Sequence, residues 1–129
     1  MLAIDTNLVV RYLVADDAAQ AARARRVIDG NDVFVPVTVM LETEWVLRSA
    51  YGLSAAACAK ALAGFGGLPT VTVEDAATVA KALRWMGEGI DFADGLHLAK
   101  AESCEAFVTF DRDFAKAAGA LGWIAVRTP

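Results

Sequence analysis

The chain lacks any apolar run of the roughly 18–20 residues needed to cross a bilayer. Its N-terminus has no basic stretch leading into a long apolar core. A membrane anchor and a secretory leader are both disfavoured, and the cytoplasm is the expected compartment. Cysteine is scarce: Cys58 and Cys104 stand far apart, without Cys-x-x-Cys spacing, in a chain with one His. That disfavours a zinc site, leaves a disulfide open, and makes both thiols read as small buried hydrophobes. Positive charge is in deficit too. Lys and Arg number 12 against 16 Asp and Glu, a net charge of −4, which argues against a basic surface that grips nucleic acid.

What is present is apolar. Of the 129 residues, 57% are hydrophobic and 22% charged, which excludes a disordered tail and supplies enough side chains for one core. One domain over residues 1–129 is expected, with neither repeat nor linker. Short apolar runs at Leu2–Asp5, Val33–Val35, Val71–Val73, Ala106–Thr109 and Ile124–Val126 read as buried strands. Between them lie helical patterns: Leu8 to Leu13, a segment ending at Gly30, Thr38 to Ala50 with Gly52 as its left-handed cap, Ser54 to about Gly64, Glu74-Asp75 to Met86, Asp91 to about Ser103, and a short one near Phe114. Nearly continuous apolar strands alternating with helices predict an α/β fold: a central parallel five-stranded sheet with helices on both faces.

In such sheets ligands bind beyond the carboxyl ends of the strands, so acids at those ends are of interest. Asp5 closes the first strand and Asp111 follows the fourth; the two meet if those strands are neighbours. The plainer reading is that Asp5-Thr6-Asn7 and Asp111-Arg-Asp113 merely cap helices. Between Thr38 and Ala50, Glu44 stands four residues before Arg48 and reads as a solvated surface ion pair. Glu42, with Trp45 and Val46 as helical neighbours, reads as half-buried and in need of a partner. Asp91 reads as a helix cap, and Asp94, whose face runs on to His97 and Leu98, reads as the functional acid. His97 alone is the pattern of a satisfied core residue. Convergence of Asp5, Glu42, Asp94 and Asp111 would cost about 4 kcal/mol per close pair at ~4 Å and an effective dielectric of ~20. A hard divalent cation, Mg2+ or Mn2+, offsets such repulsion and prefers oxygen ligands. It also answers the charge objection, since a bound ion inverts the local sign.

The opening Met-Leu-Ala-Ile-Asp5-Thr6-Asn7, the segment Glu42-Thr-Glu-Trp45-Val-Leu47, the stretch Asp91-Phe-Ala-Asp94-Gly-Leu-His and the run Val108-Thr109-Phe-Asp111-Arg-Asp113-Phe114 together resemble the PIN-domain family, specifically the VapC toxins of bacterial type II toxin-antitoxin systems. The resemblance covers essentially the whole chain. It implies a Mg2+- or Mn2+-dependent endoribonuclease acting on single-stranded RNA, a homodimer, and a cognate VapB-like antitoxin that blocks the acidic groove. It assigns Asp5, Glu42, Asp94 and Asp111 as the four acids, with Asp5, Asp94 and Asp111 on the metal. Thr6, Asn7 and Thr109 support them, and Asp113 competes with Asp111 for the fourth place. Gly95 departs from the family's usual helix former, at about 1 kcal/mol of helix propensity.

On this reading RNA is steered by Arg11, Arg48 and Arg112, and Glu42 orients or deprotonates the attacking water. Antitoxin or dimer surfaces are sought among Val9, Tyr12, Leu13, Val39 and Trp45. An alternative from another class is a catalytically inert module of the same fold that receives a basic peptide in its acidic groove. A phosphoacceptor receiver is disfavoured, because the strands at Val33–Val35 and Val71–Val73 end without the Asp nucleophile and Lys it needs.

Overall fold

A computed structural model describes residues 1–129. The chain runs β1 (Leu2–Ala3), α1 (Thr6–Leu13), α2 (Ala18–Gly30), β2 (Val33–Val35), α3 (Val37–Ser49), α4 (Ala55–Gly66), β3 (Val71–Val73), α5 (Ala76–Met86), α6 (Phe92–Lys100), β4 (Ala106–Val108), α7 (Arg112–Leu121) and β5 (Ala125–Arg127). Every predicted strand and helix is found, with ends shifted by a few residues. No helix is long and apolar enough to cross a membrane.

The strands do not form one five-stranded sheet. They form two parallel ones, a three-stranded sheet in the order β1-β2-β3 and a separate β4-β5 pair. In the first, Leu2 lies beside Val33, and Val33–Val35 run in register with Val71–Val73. In the second, Ala106–Val108 match Ala125–Arg127. β1 is too short to support a ladder on both sides, and it spends its hydrogen bonds on β2: Leu2 N donates to Asp32 O at 2.8 Å and Ile4 N to Phe34 O at 3.1 Å. Its other edge stays bare. Leu2 is 47% exposed on β1 and Val108 58% exposed on β4, where a sheet joined through these strands would bury both.

The core divides the same way. Eighteen buried residues, including Val33, Val35, Met40, Leu47, Leu62 and Phe65, form one cluster around the three-stranded sheet. Four others, Ile90, Leu98, Phe114 and Ala118, form a second cluster beneath β4-β5. Each fully buried side chain of this kind contributes about 1.5–3 kcal/mol, so most of the apolar stabilisation lies with the first. Aromatic edges supplement the second: Trp85 meets Trp123 at 5.8 Å and Phe107 meets Phe114 at 5.6 Å between ring centroids.

Local signals explain most helix ends. Asp5, Asp17, Ser54 and Asp111 each cap a helix by accepting from a backbone N–H three residues on, an arrangement that contributes about 0.5–2 kcal/mol apiece. Gly52 takes the left-handed turn predicted for it, at φ +66°. Glu74 does not open α5 but reaches back to α3, where it accepts from Val37 N at 2.8 Å. Asp75 occupies the first position before α5 in a left-handed conformation (φ 51°) without capping it; its carboxylate pairs with Lys100 of α6. Gly95 is not a loosened helix position. A Cβ there would lie 3.3 Å from Cα and Cβ of Ala82, so its absence is what lets α6 press against α5. Cys58 is buried as expected, but Cys104 is exposed, and both are free thiols.

Candidate active site

The acids singled out in the sequence collect in two groups. The first lies at the end of β1. Asp5 caps α1, accepting from Leu8 N at 3.3 Å with one carboxylate oxygen. One residue on, the Thr6 hydroxyl donates to Oε1 of Glu42 on α3, a link between positions 36 residues apart that holds the Glu42 head in place. Asp5, Thr6, Asn7, Arg11, Glu42 and Tyr51 line a common cleft of about 400 Å³.

The second group lies at the start of α6 and of α7. Asp94 stands in the first turn of α6, partly buried. Burial pushes its carboxyl above the ordinary range, and the charges of Asp91 and Asp111 add to the rise while His97 opposes it. Asp111 is therefore close enough to Asp94 to be felt electrostatically. Its own geometry is fixed from both sides: one carboxylate oxygen accepts from Phe114 N at 2.9 Å, and its N–H donates to the Thr109 hydroxyl at 3.0 Å. Of the competing pair, Asp111 thus takes the cap and faces Asp94's charge. Asp113 is an exposed residue of the first turn of α7, where a negative charge suits the helix dipole.

Several expectations are reversed. Glu42 is exposed and Glu44 is the buried acid, 1% exposed, with Thr43 beside it. The ion pair with Arg48 exists, but at the edge of the core rather than in solvent, and Arg48 is held charged first by the hydrogen bond to Glu44. The buried stripe of α3 is Met40, Thr43, Glu44 and Leu47. That spacing of three, one and three residues was visible in the sequence and would have found Glu44, had the stripe been laid through Met40 and Leu47 instead of Trp45. Asp91 makes no side-chain cap; it pairs with Arg48 at 3.3 Å, because α3 crosses the start of α6. His97 is exposed, since α6 buries Phe92, Gly95, Leu96, Leu98 and Ala99. Of the apolar residues considered for partner surfaces, Val9 is fully buried and Tyr12, Leu13 and Val39 pack on the core. Trp45, at 60% exposure, alone is free.

Two residues of the first cleft carried no motif. The Tyr51 hydroxyl donates to Asp16 Oδ2 at 3.1 Å, and Arg11 Nη1 donates to both Asp16 and Tyr51. Tyr51 reads in sequence only as the residue before a turn glycine, and Asp16 as half of an Asp-Asp pair before a helix.

None of Asp5, Glu42, Asp94 and Asp111 belongs to an ion pair, whereas Asp16, Glu44, Asp75, Asp91 and Glu105 all do. In kind, the four suit a hard divalent cation: oxygen donors only, lacking a countercharge, with Asp94 crowded by like charge. As they stand, no three His, Cys, Asp or Glu side chains are grouped closely enough to hold a metal ion. The largest cavity, about 520 Å³ between α4 and α5, is apolar apart from Arg84 and contains no acid, so it is not where this chemistry sits. The family model for the PIN domain matches residues 2–120. No curated protein matches the chain.

Proposed function

The chain belongs to the PIN domain family, and from that premise we propose that it is a Mg2+- or Mn2+-dependent endoribonuclease that hydrolyses phosphodiester bonds of single-stranded RNA, the VapC-like toxin of a type II toxin-antitoxin pair. PIN domains are generally nucleases and generally use divalent metal ions. The observation that carries the reading to this chain is that Asp5, Glu42, Asp94 and Asp111 all lack a basic partner. On this reading residues 1–129 act as one domain, in the cytoplasm, as a homodimer restrained by a VapB-like antitoxin.

Asp5, Asp94 and Asp111 would hold the ion. When bound, it supplies Lewis-acid charge to a phosphoryl oxygen and lowers the pKa of a water. Asp5 and Asp111 each commit one oxygen to a helix cap, which fixes the carboxylate plane and leaves the second oxygen to ligate. Glu42 takes the role of orienting the attacking water or accepting its proton, with the Thr6 hydroxyl holding its other oxygen. Thr109 acts through Asp111, whose turn it holds.

The competing reading is the inert module that receives a basic peptide in the acidic cleft. It draws on the fact that no three acids are grouped for metal. Calorimetric titration with Mn2+, alongside cleavage of a single-stranded RNA, separates the two. Wild type is expected to take up the ion and cut; Asp5→Asn is expected to keep its circular dichroism while losing more than ~100-fold in metal affinity and cleavage. Undiminished cleavage by Asp5→Asn, or no Mn2+ uptake by wild type, sinks the metal-nuclease reading.

A further inference from the structure

A second cleft adjoins the acidic one, and its charge is opposite. It has a volume of about 290 Å³, lies between α1 and α2, and has Asn7, Arg11, Gln20 and Arg23 as its polar lining, with no acid among its lining residues. Asn7 and Arg11 also line the acidic cleft, so one turn of α1 forms the wall between the two. Arg11 is preset. Its Nε donates to Gln20 Oε1 at 2.7 Å and its Nη1 to Asp16 and Tyr51, while Nη2 makes no hydrogen bond within the protein. Arg23 is exposed and enters no ion pair.

We propose that this cleft seats a second phosphate of the RNA strand, next to the one cleaved, with Arg23 and Nη2 of Arg11 as its charged donors. The inference rests on the nuclease reading above. Arginine's fixed, planar fork of N–H donors suits phosphate oxygens, and the Asn7 and Gln20 amides add the neutral donors that contact a nucleic-acid backbone. Charge alternation along α1 does the rest: an anion entering this region is repelled by Asp5 and Glu42 unless metal is present, and is attracted by Arg23 in either case. A strand is thereby registered so that one phosphodiester reaches the acids while its neighbour is held beside them. Arg23 is a positioning residue, and because it reads phosphate, it carries no base preference. The scattered Arg48 cannot share this role, since its guanidinium is committed to Glu44 and Asp91.

Fluorescence anisotropy of labelled single-stranded RNA 12-mers, one of U and one of mixed sequence, tests this in EDTA, where no cleavage occurs, across a salt series. Arg23→Ala is expected to weaken binding of both RNAs about tenfold at low salt and to reduce the slope of log K against log salt by about 0.7, the loss of one phosphate contact on a single strand. Arg23→Lys is expected to recover most of the slope. With Mn2+ present, the loss in kcat/KM for Arg23→Ala is expected to fall mainly on KM. Equal affinity and slope for Arg23→Ala, or a loss confined to one RNA sequence, overturns the assignment while the nuclease reading stands if wild type cuts. Failure of wild type to bind either RNA overturns both. If a polyglutamate peptide binds through Arg23 and RNA does not, the cleft serves an acidic protein partner and the proposal falls.

Discussion

The three-stranded part of the molecule and the β4-β5 part carry complementary halves of the acid set with very unequal support. Asp5, Thr6 and Glu42 are anchored to elements packed on an eighteen-residue core. Asp94 starts a helix that spans both clusters, and Asp111 caps a helix packed on the four-residue one. An active site divided this way places its rigid half and its softer half on opposite sides of one catalytic centre. The softer half is then the one able to adjust when a cation draws the acids together.

The largest expected effect tests whether the two parts are energetically distinct. Leu62→Ala, at a fully buried position of the large cluster, is expected to lower global stability in urea by about 2–5 kcal/mol. Leu98→Ala, equally buried but in the small cluster, is expected to show instead as faster hydrogen exchange at the β4-β5 amides, with a smaller change in the urea midpoint. Equal midpoint shifts from both would mean that the molecule unfolds as one unit and that the contrast has no energetic content.

The ladder of elements was readable in the sequence because each strand is an apolar run bounded by Gly, Pro or Asp, a local signal. Which strands pair is not local. β1 offers two residues for a ladder, and nothing in Leu2-Ala3 says that its second edge stays bare. The acids were readable as strand ends and helix starts, so Asp5 and Asp111 were found where backbone geometry alone places them. Glu42 and Glu44 were exchanged because both have apolar helical neighbours, and Trp45 was taken for core when it faces solvent. The Arg11–Asp16–Tyr51 network escaped notice because it joins three segments, none of which carries a motif.

Smaller effects sharpen the contrast at the acids. In metal-free buffer, Asp94→Asn is expected to raise the melting temperature by a few degrees at neutral pH. The folded-state pKa of Asp94 is raised, by burial first and then by Asp91, so its ionised form costs stability once pH exceeds that pKa. Below the ordinary value of 3.8 the carboxyl is protonated in both states and the advantage of Asn disappears. A melting difference independent of pH would remove the electrostatic account of this half of the site.

The smallest expected effect concerns the junction between α5 and α6. Gly95→Ala gains about 1 kcal/mol of helix propensity and loses a similar amount or more by pushing against Ala82, 3.3 Å away. The net change in a thermal melt is expected within about 1 kcal/mol on the destabilising side, and Ala82→Gly in the same chain is expected to reverse its sign. A clear stabilisation by Gly95→Ala alone would show that α6 can withdraw from α5 without penalty.

The pairing order β1-β2-β3 followed by β4-β5 also bears on how the chain is made. Each strand hydrogen-bonds only to the one synthesised just before or just after it. A ribosome that has released residues up to Val73 has already delivered every strand of the first sheet, while Asp94 and Asp111 do not yet exist as part of the nascent chain. The half carrying Asp5 and Glu42 can therefore take shape during translation, and the enzyme's acid set stays incomplete until the last stretch of the message has been read.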